Sequence, residues 1–143
     1  DLHSFPTRRS SDLHIVDLPI FRLAEAYLIY AEAVLRGGTG GTAAQALIYV
    51  NLVRQRAYGN TSGNLNSLTL NDIIDERARE FHWEGKRRTD LIRFDHFTTA
   101  AYLWPWKGNT PNGRAVESFR NVYPIPAPEL NVNPNLEQND GYN

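Results

Sequence analysis

The first half of the chain has the hydrophobic spacing of two helices separated by a glycine-rich break. From Leu18 to Leu35, apolar residues recur at the i, i+3, i+4, i+7 spacing of an amphipathic helix. Its expected buried positions are Leu23, Ala26, Tyr27, Tyr30, Ala31 and Val34. Pro19 suits its first turn, and the run GGTGG at 37–41 ends it. Thr42 can then cap a second helix. The expected buried positions of that helix are Ala46, Ile48, Tyr49, Leu52 and Val53.

These two helices form a predicted hairpin over residues 23–57. Its length is close to one tetratricopeptide-type repeat of about 34 residues. A single repeat of this kind cannot bury its own hydrophobic face and needs neighbouring repeats. We therefore expect a missing upstream part, and we expect residues 14–143 alone to be marginally stable.

The second half begins with a turn-rich loop at 58–69, and a third helix is predicted to follow it. Either Thr69 or Asn71 can cap this helix, which is expected to run to about Glu84 before Gly85 stops it. One side of it carries Leu70, Ile73, Ile74, Arg77, Ala78 and Phe81.

A short fourth helix is predicted around residues 90–97, with Thr89 or Asp90 as its cap. The basic residues 86–88 would then lie at the junction between the third and fourth helices. From Tyr102 onward the helical periodicity is lost, and the chain is rich in Pro, Asn and Gly. We expect an extended tail that folds by lying on a larger body.

Composition excludes several classes of function. The 143 residues are 41% apolar and 11% aromatic, which suffices for a packed core. Fifteen Lys and Arg against sixteen Asp and Glu leave a net charge of -1, so no global field attracts nucleic acid or an anionic membrane. The absence of cysteine excludes a disulfide framework, a thiolate nucleophile and a Cys-ligated zinc ion.

The first thirteen residues, DLHSFPTRRSSDL, resemble the in-frame translation of a common short-read sequencing adapter. They lack the hydrophobic middle of a signal peptide. We therefore expect residues 1–13 to be an artefact and residues 14–143 to be the protein proper. The alternative is a genuine basic arm.

The charged run at 76–94 could serve catalysis or structure. Three glutamates spaced four apart share one face of the predicted helix, whereas general acid and base catalysis needs carboxyls that face each other across a substrate. We expect instead that Glu84 and Asp90 pair with Arg87, Arg88 or Arg93 and tie a helix corner. This predicted structural corner comprises Glu76, Glu80, Glu84, Arg87, Arg88, Asp90 and Arg93. No catalytic residue is predicted.

Other candidate chemistry is sparse. His82 does not form the spacing of two histidines one helical turn apart that binds zinc, and His96 is isolated, so no metal site is predicted. Acids are interleaved with the basic residues of the corner and would repel phosphates, so no nucleic-acid partner is expected. No glycine-rich phosphate loop or nucleophile elbow is present, and no cofactor is predicted.

One aromatic cluster, formed by Tyr102, Trp104, Trp106 and Lys107, is a candidate ligand site. Flat rings suit the apolar faces of sugars, which makes Trp104 and Trp106 the candidate ligand-binding residues. The alternative, which the coil context favours, is that both tryptophans pack the loop onto the helices.

Three motifs in order give the chain a family resemblance. They are the ERA, EG and DLIR elements within 76–93, the YPIP segment at 123–126, and the closing NPNL, QN and GY elements within 133–142. Together they resemble the C-terminal region of SusD/RagB-family nutrient-uptake lipoproteins. Residues 86–89 depart from a more aromatic junction common in that family, and Asp140 stands where proline is frequent.

The resemblance implies an all-α fold of tetratricopeptide-like hairpins with long irregular loops and an extended C-terminal tail. It also implies a non-enzymatic, lipid-anchored protein of the outer-membrane surface, which binds oligosaccharide or another nutrient and delivers it to a SusC-like TonB-dependent transporter. The sugar-facing aromatics of that family lie largely upstream of this segment. A tetratricopeptide-like scaffold that binds a protein partner is the alternative function.

Overall fold

The computed structural model describes residues 20–142, in which helices and 3-10 turns are the only regular secondary structure. The expected all-α fold is thus confirmed. The helices are α1 (Leu23–Leu35), α2 (Ala43–Tyr58), α3 (Leu70–Glu80), α4 (Arg87–Arg93) and α5 (Ala127–Val132). The 3-10 turns are Thr61–Gly63, Lys107–Asn109 and Ser118–Asn121. None of the described helices is both long and apolar enough to cross a membrane.

The chain divides between Leu68 and Thr69 into two compact units. We call residues 20–68 the hairpin unit and residues 69–142 the corner unit.

In the hairpin unit, α1 and α2 pack closely through small side chains. The Thr42 hydroxyl accepts a hydrogen bond from the Gln45 amide at 3.1 Å, which confirms the predicted cap of α2. Tyr49 stacks on Tyr27 with ring centroids 4.4 Å apart, and Tyr30 meets the Tyr49 ring edge-on. The buried apolar residues of the unit are Ala24, Leu28, Ala31, Ala46, Val50 and Val53.

The predicted buried faces of both helices were partly wrong. Leu23, Ile48 and Leu52 are exposed, whereas Leu28 and Val50 are fully buried. Apolar residues occupy most positions of α1, so periodicity alone admits more than one face, and the close approach of the helices at alanines decides between them. The helix also begins at Leu23 rather than near Leu18. Pro19 lies outside the described residues.

The neighbouring residues Leu28 and Ile29 provide a test of this face. Leu28→Ala should lower the free energy of unfolding of the hairpin unit by about 2–5 kcal/mol, because it leaves a cavity in the core. Ile29 is 53% exposed, and Ile29→Ala should change the stability by no more than about 0.5 kcal/mol. Urea unfolding followed by far-UV circular dichroism measures both. Equal losses would show that the face is assigned incorrectly.

The corner unit begins with α3, whose apolar side is as predicted. Of the two candidate caps, Thr69 is the one used: its hydroxyl accepts from the Asp72 amide, and the Asp72 carboxylate accepts from the Thr69 amide. Ile73, Ile74 and Phe81 are buried.

The junction between α3 and α4 differs from the prediction. α3 ends at Glu80, and a turn follows in which Trp83 (φ 67°) and Gly85 (φ 73°) adopt left-handed backbone conformations. α4 begins at Arg87, so neither Thr89 nor Asp90 is its cap. The Thr89 hydroxyl donates to the Lys86 carbonyl, and the Asp90 carboxylate accepts from two arginines. Residues 87 and 88 therefore belong to the first turn of α4.

The C-terminal tail is largely irregular, as predicted, but it includes α5 and holds itself together. The Gln138 side chain accepts from the Ile125 amide at 2.8 Å and donates to the Ile125 carbonyl at 2.9 Å. The Tyr142 hydroxyl donates to the Val122 carbonyl, and its ring packs edge-on against Phe119. Contacts between its own residues therefore hold part of the tail.

Candidate functional site

A buried ion pair joins α3 to α4. Arg77 Nε donates to Asp90 Oδ2 at 2.9 Å, and the two side chains are 5% and 4% exposed. The more exposed Arg93 donates through Nη2 to Asp90 Oδ1 at 2.7 Å. Asp90 therefore connects α3 to α4 through Oδ2 and bonds within α4 through Oδ1, and it is a shared acceptor at the centre of the corner.

The three predicted glutamates do not share one helix face. Glu76 is buried in α3 and accepts from Arg79 at 2.7 Å. Glu80 is the last residue of α3 and is half-buried, whereas Glu84 lies in the turn beyond it. Because α3 ends before Glu84, these carboxyls do not line up along a single helix.

Of the three arginines predicted as partners, Arg93 pairs with Asp90, whereas Arg87 and Arg88 contact other groups. Arg87 donates to the Ile74 carbonyl at 3.1 Å and to the Tyr102 hydroxyl at 2.9 Å. Arg88 donates to the carbonyls of residues 120 and 121 at 3.0 and 3.1 Å. Both arginines thus connect separate segments of the corner unit through hydrogen bonds, mostly to backbone carbonyls.

The same two arginines border a cavity of about 480 Å³, which we call the aromatic pocket. Its lining consists of Arg87, Arg88, Leu91, Phe97, Tyr102 and Trp104. The Arg87 guanidinium lies 5.1 Å from the Tyr102 ring centroid, and the Arg88 guanidinium lies 5.0 Å from that of Phe97. Such stacking fixes the guanidinium planes against the rings.

Lys107 anchors the loop beside this pocket. Its side chain is buried, and its ammonium group donates to the carbonyls of His96, Thr99 and Tyr102 at 2.8, 2.5 and 2.8 Å. The ammonium also lies 4.6 Å from the Trp104 ring centroid. Burial lowers the pKa of Lys107 from its usual value, because desolvation disfavours the charged form. The three carbonyl oxygens act in the opposite sense by accepting hydrogen bonds from the charge.

The two candidate tryptophans occupy different environments. Trp104 is half-buried between the Lys107 ammonium and the aromatic pocket, which matches the packing alternative in part. Trp106 is 65% exposed and has a φ of 69°, a left-handed conformation that is an outlier for a large side chain. The turn therefore presents the Trp106 side chain to solvent.

The two histidines that the structure describes have no arrangement typical of a metal site. His82 is exposed, and His96 stacks on the Tyr102 ring with centroids 5.5 Å apart. No group of three or more histidine or acidic side chains within residues 20–142 could hold a metal ion.

Sequence reasoning missed the aromatic pocket because its parts are distant in sequence. The basic residues 86–88 and the aromatic cluster at 102–106 were considered separately, and Phe97 was assigned to neither. The hydrogen bond from Arg87 to Tyr102 brings them together. The spacing of these residues gives no signal for this contact.

Comparisons with known proteins give consistent results. The SusD family matches residues 5–142. That range begins within residues 1–13, so the adapter origin of this segment stays a prediction.

Two curated relatives resemble the chain. The starch-binding protein SusD of Bacteroides thetaiotaomicron is 49% identical over 126 residues, which cover 88% of this chain and 22% of the relative. The SusD-like protein P25 of Formosa agariphila is 35% identical over 148 residues, covering 100% of this chain and 27% of the relative. The chain therefore spans about a quarter of the length of these relatives.

Solved structures agree with the sequence relatives. Surface glycan-binding protein A from Bacteroides thetaiotaomicron, in complex with laminarihexaose, superimposes with a TM-score of 0.68 at 33% identity. The match covers 85% of this chain and 24% of that protein. The corresponding protein from Bacteroides uniformis gives a TM-score of 0.66 at 33% identity, with 83% and 26% of the two chains covered. From the match over nearly all of its residues and the shared fold, we conclude that the chain belongs to the SusD family.

Proposed function

We propose that this chain is part of a surface-exposed lipoprotein of the outer membrane that binds an oligosaccharide and delivers it to a SusC-like TonB-dependent transporter. Membership of the SusD family carries the proposal, because relatives are a starch-binding protein and a glycan-binding protein in complex with laminarihexaose. The protein is a binder and not an enzyme. The family match includes the hairpin, so the scaffold alternative has no separate support.

Within this chain, Trp106 is the side chain best placed to contact a sugar. It is exposed, and backbone hydrogen bonds hold its turn: the Trp106 amide donates to the Thr110 carbonyl, and the Lys107 amide donates to the Trp104 carbonyl. Gly113 permits this close turn, since a Cβ there would lie 2.4 Å from the Trp104 carbonyl oxygen. A rigidly presented ring loses little conformational entropy when a ligand stacks on it.

Trp106→Ala should weaken oligosaccharide binding about three- to tenfold, the loss expected for one stacking contact. Isothermal titration calorimetry of the protein as encoded by its gene, with maltohexaose and laminarihexaose, measures the change. Trp83→Ala is the matched control, because Trp83 is 91% exposed and also has a left-handed backbone, but lies in the turn between α3 and α4. Equal effects of the two substitutions on the affinity would show that Trp106 makes no specific contact with the oligosaccharide.

Delivery to a transporter requires an independent test. Protease treatment of intact cells should degrade the protein, and a TonB-dependent barrel should co-purify with it from detergent extracts. Deletion of the gene should abolish growth on the bound glycan. A protein that is protected in intact cells and dispensable for this growth would contradict the proposal.

A further inference from the structure

The aromatic pocket lies among cations that form no ion pair within residues 20–142. Arg36, Arg77, Arg79, Arg93 and Arg120 all form ion pairs with carboxylates. By contrast, three cationic side chains lie at or beside the pocket: Arg87, Arg88 and Lys107. Within residues 20–142 they contact only carbonyls, one hydroxyl and aromatic rings.

The lining of the pocket contains no acidic side chain, and Asp75 is linked to Arg87 only through the Tyr102 hydroxyl, which donates to Asp75 Oδ1 at 3.5 Å. Leu91, Phe97 and Trp104 supply apolar and aromatic surface. The cavity of about 480 Å³ falls within the range of small-molecule sites, about 300–1,000 Å³. Such a pocket suits a ligand that has both a flat apolar face and a negative charge.

Both guanidinium groups keep unused donors. Arg88 bonds to the protein through Nη2, so Nε and Nη1 are without protein acceptors in the described part of the chain. Arg87 uses Nη1 and Nη2, which leaves Nε. On Arg88 these two donors lie on different edges of the guanidinium, so each can make a single charge-assisted hydrogen bond to a carboxylate or sulfate oxygen.

The arginines are also held in place before any ligand arrives. The Ile74 carbonyl and the Tyr102 hydroxyl fix Arg87, and Arg88 lies between the rings of Phe97 and Tyr123 at 5.0 and 3.8 Å. Fixed donors cost little entropy on binding.

We propose that the aromatic pocket binds an acidic sugar residue, a pyranose ring bearing a carboxylate or a sulfate, with the ring against the aromatic side chains and the anion on Arg87 and Arg88. This inference rests on the proposed glycan-binding function and names a class of glycan for it.

The test compares short oligosaccharides of glucuronate with matching oligosaccharides of glucose, which differ only in the carboxylate. Acetate provides the anion without the ring. Tryptophan fluorescence titration of the protein should show glucuronate chains binding about tenfold or more tighter than glucose chains. The preference should weaken as salt is raised, because salt screens the charges.

Arg88→Gln should remove most of this preference, and circular dichroism should verify that the variant is folded. Since Arg88 also holds the tail, Trp104→Ala is a second variant, which keeps both charges and should weaken glucuronate and glucose chains alike. Arg120→Gln is the control, because its ion pair with Glu117 lies outside the pocket lining.

Equal affinity for glucuronate and glucose chains would overturn the acidic-sugar inference and leave the proposed function in place. So would competition by acetate at the concentration effective for glucuronate, which would show an anion site without sugar recognition. Failure to bind any saccharide, including maltohexaose and laminarihexaose, would overturn the proposed function as well.

Discussion

Asp90→Ala is expected to lower the free energy of unfolding of the corner unit by about 3–5 kcal/mol. The substitution removes the carboxylate that accepts from buried Arg77 at 2.9 Å and from Arg93 at 2.7 Å. The buried guanidinium of Arg77 would then lose the carboxylate that accepts from its Nε. All three tryptophans lie in the corner unit, so urea unfolding followed by tryptophan fluorescence reports this loss directly.

Glu117→Ala is the matched control for Asp90. Glu117 accepts from Arg120 at 2.9 Å, but both side chains are more than half exposed, so its loss should shift the urea midpoint little. The hydrogen bond from Arg120 lowers the pKa of Glu117. An Asp90 variant as stable as the Glu117 variant would show that the corner is not structural, and a role for this carboxylate in chemistry would have to be considered again.

A comparison of α3 with α1 shows when the buried face of a helix can be predicted from the sequence. In α3, charged residues flank Ile73 and Ile74, so only one face can be apolar, and the predicted face was correct. In α1, alanine, leucine and tyrosine surround the helix, and the buried face depends on how closely α2 can approach. Steric fit between helices leaves no periodic signal in one sequence.

The corner illustrates a second limit of sequence reasoning. The sequence shows that Asp90 has several arginines within reach, but its partner depends on where α3 ends. Just beyond that end, Trp83 has a left-handed backbone conformation, which its residue type does not favour. An early end of α3 moves Arg87 and Arg88 into α4 and away from Asp90, toward carbonyls and aromatic rings.

Contacts to backbone carbonyls are the least visible in sequence, because every residue supplies a carbonyl. Nothing in the segment around Lys107 indicates that its ammonium group reaches the carbonyls of residues 96, 99 and 102. Lys107 was considered only as a neighbour of the two tryptophans. In the structure it is the group that fixes the loop on which they lie.

Lys107→Met should accordingly lower the free energy of unfolding of the corner unit by about 3 kcal/mol, because three part-buried acceptors lose a charged donor. Hydrogen exchange should also accelerate at the amides of residues 106, 107 and 114, whose backbone bonds close the turn. Loosening this turn releases Trp104 and Trp106 together, so oligosaccharide affinity should fall with the stability.

Lys86→Met is the control for this prediction, since Lys86 is the only other lysine of the chain. Its ammonium group lies 5.6 Å from the Phe81 ring centroid, where a methionine side chain can pack in its place. Because Lys86 is less buried than Lys107, its variant should lose less stability than Lys107→Met. If both variants lost the same stability, the effect would come from the loss of positive charge in general. If only Lys107→Met accelerated exchange between residues 106 and 114, the bonds from Lys107 to the three carbonyls would be shown to fix the loop that carries Trp104 and Trp106.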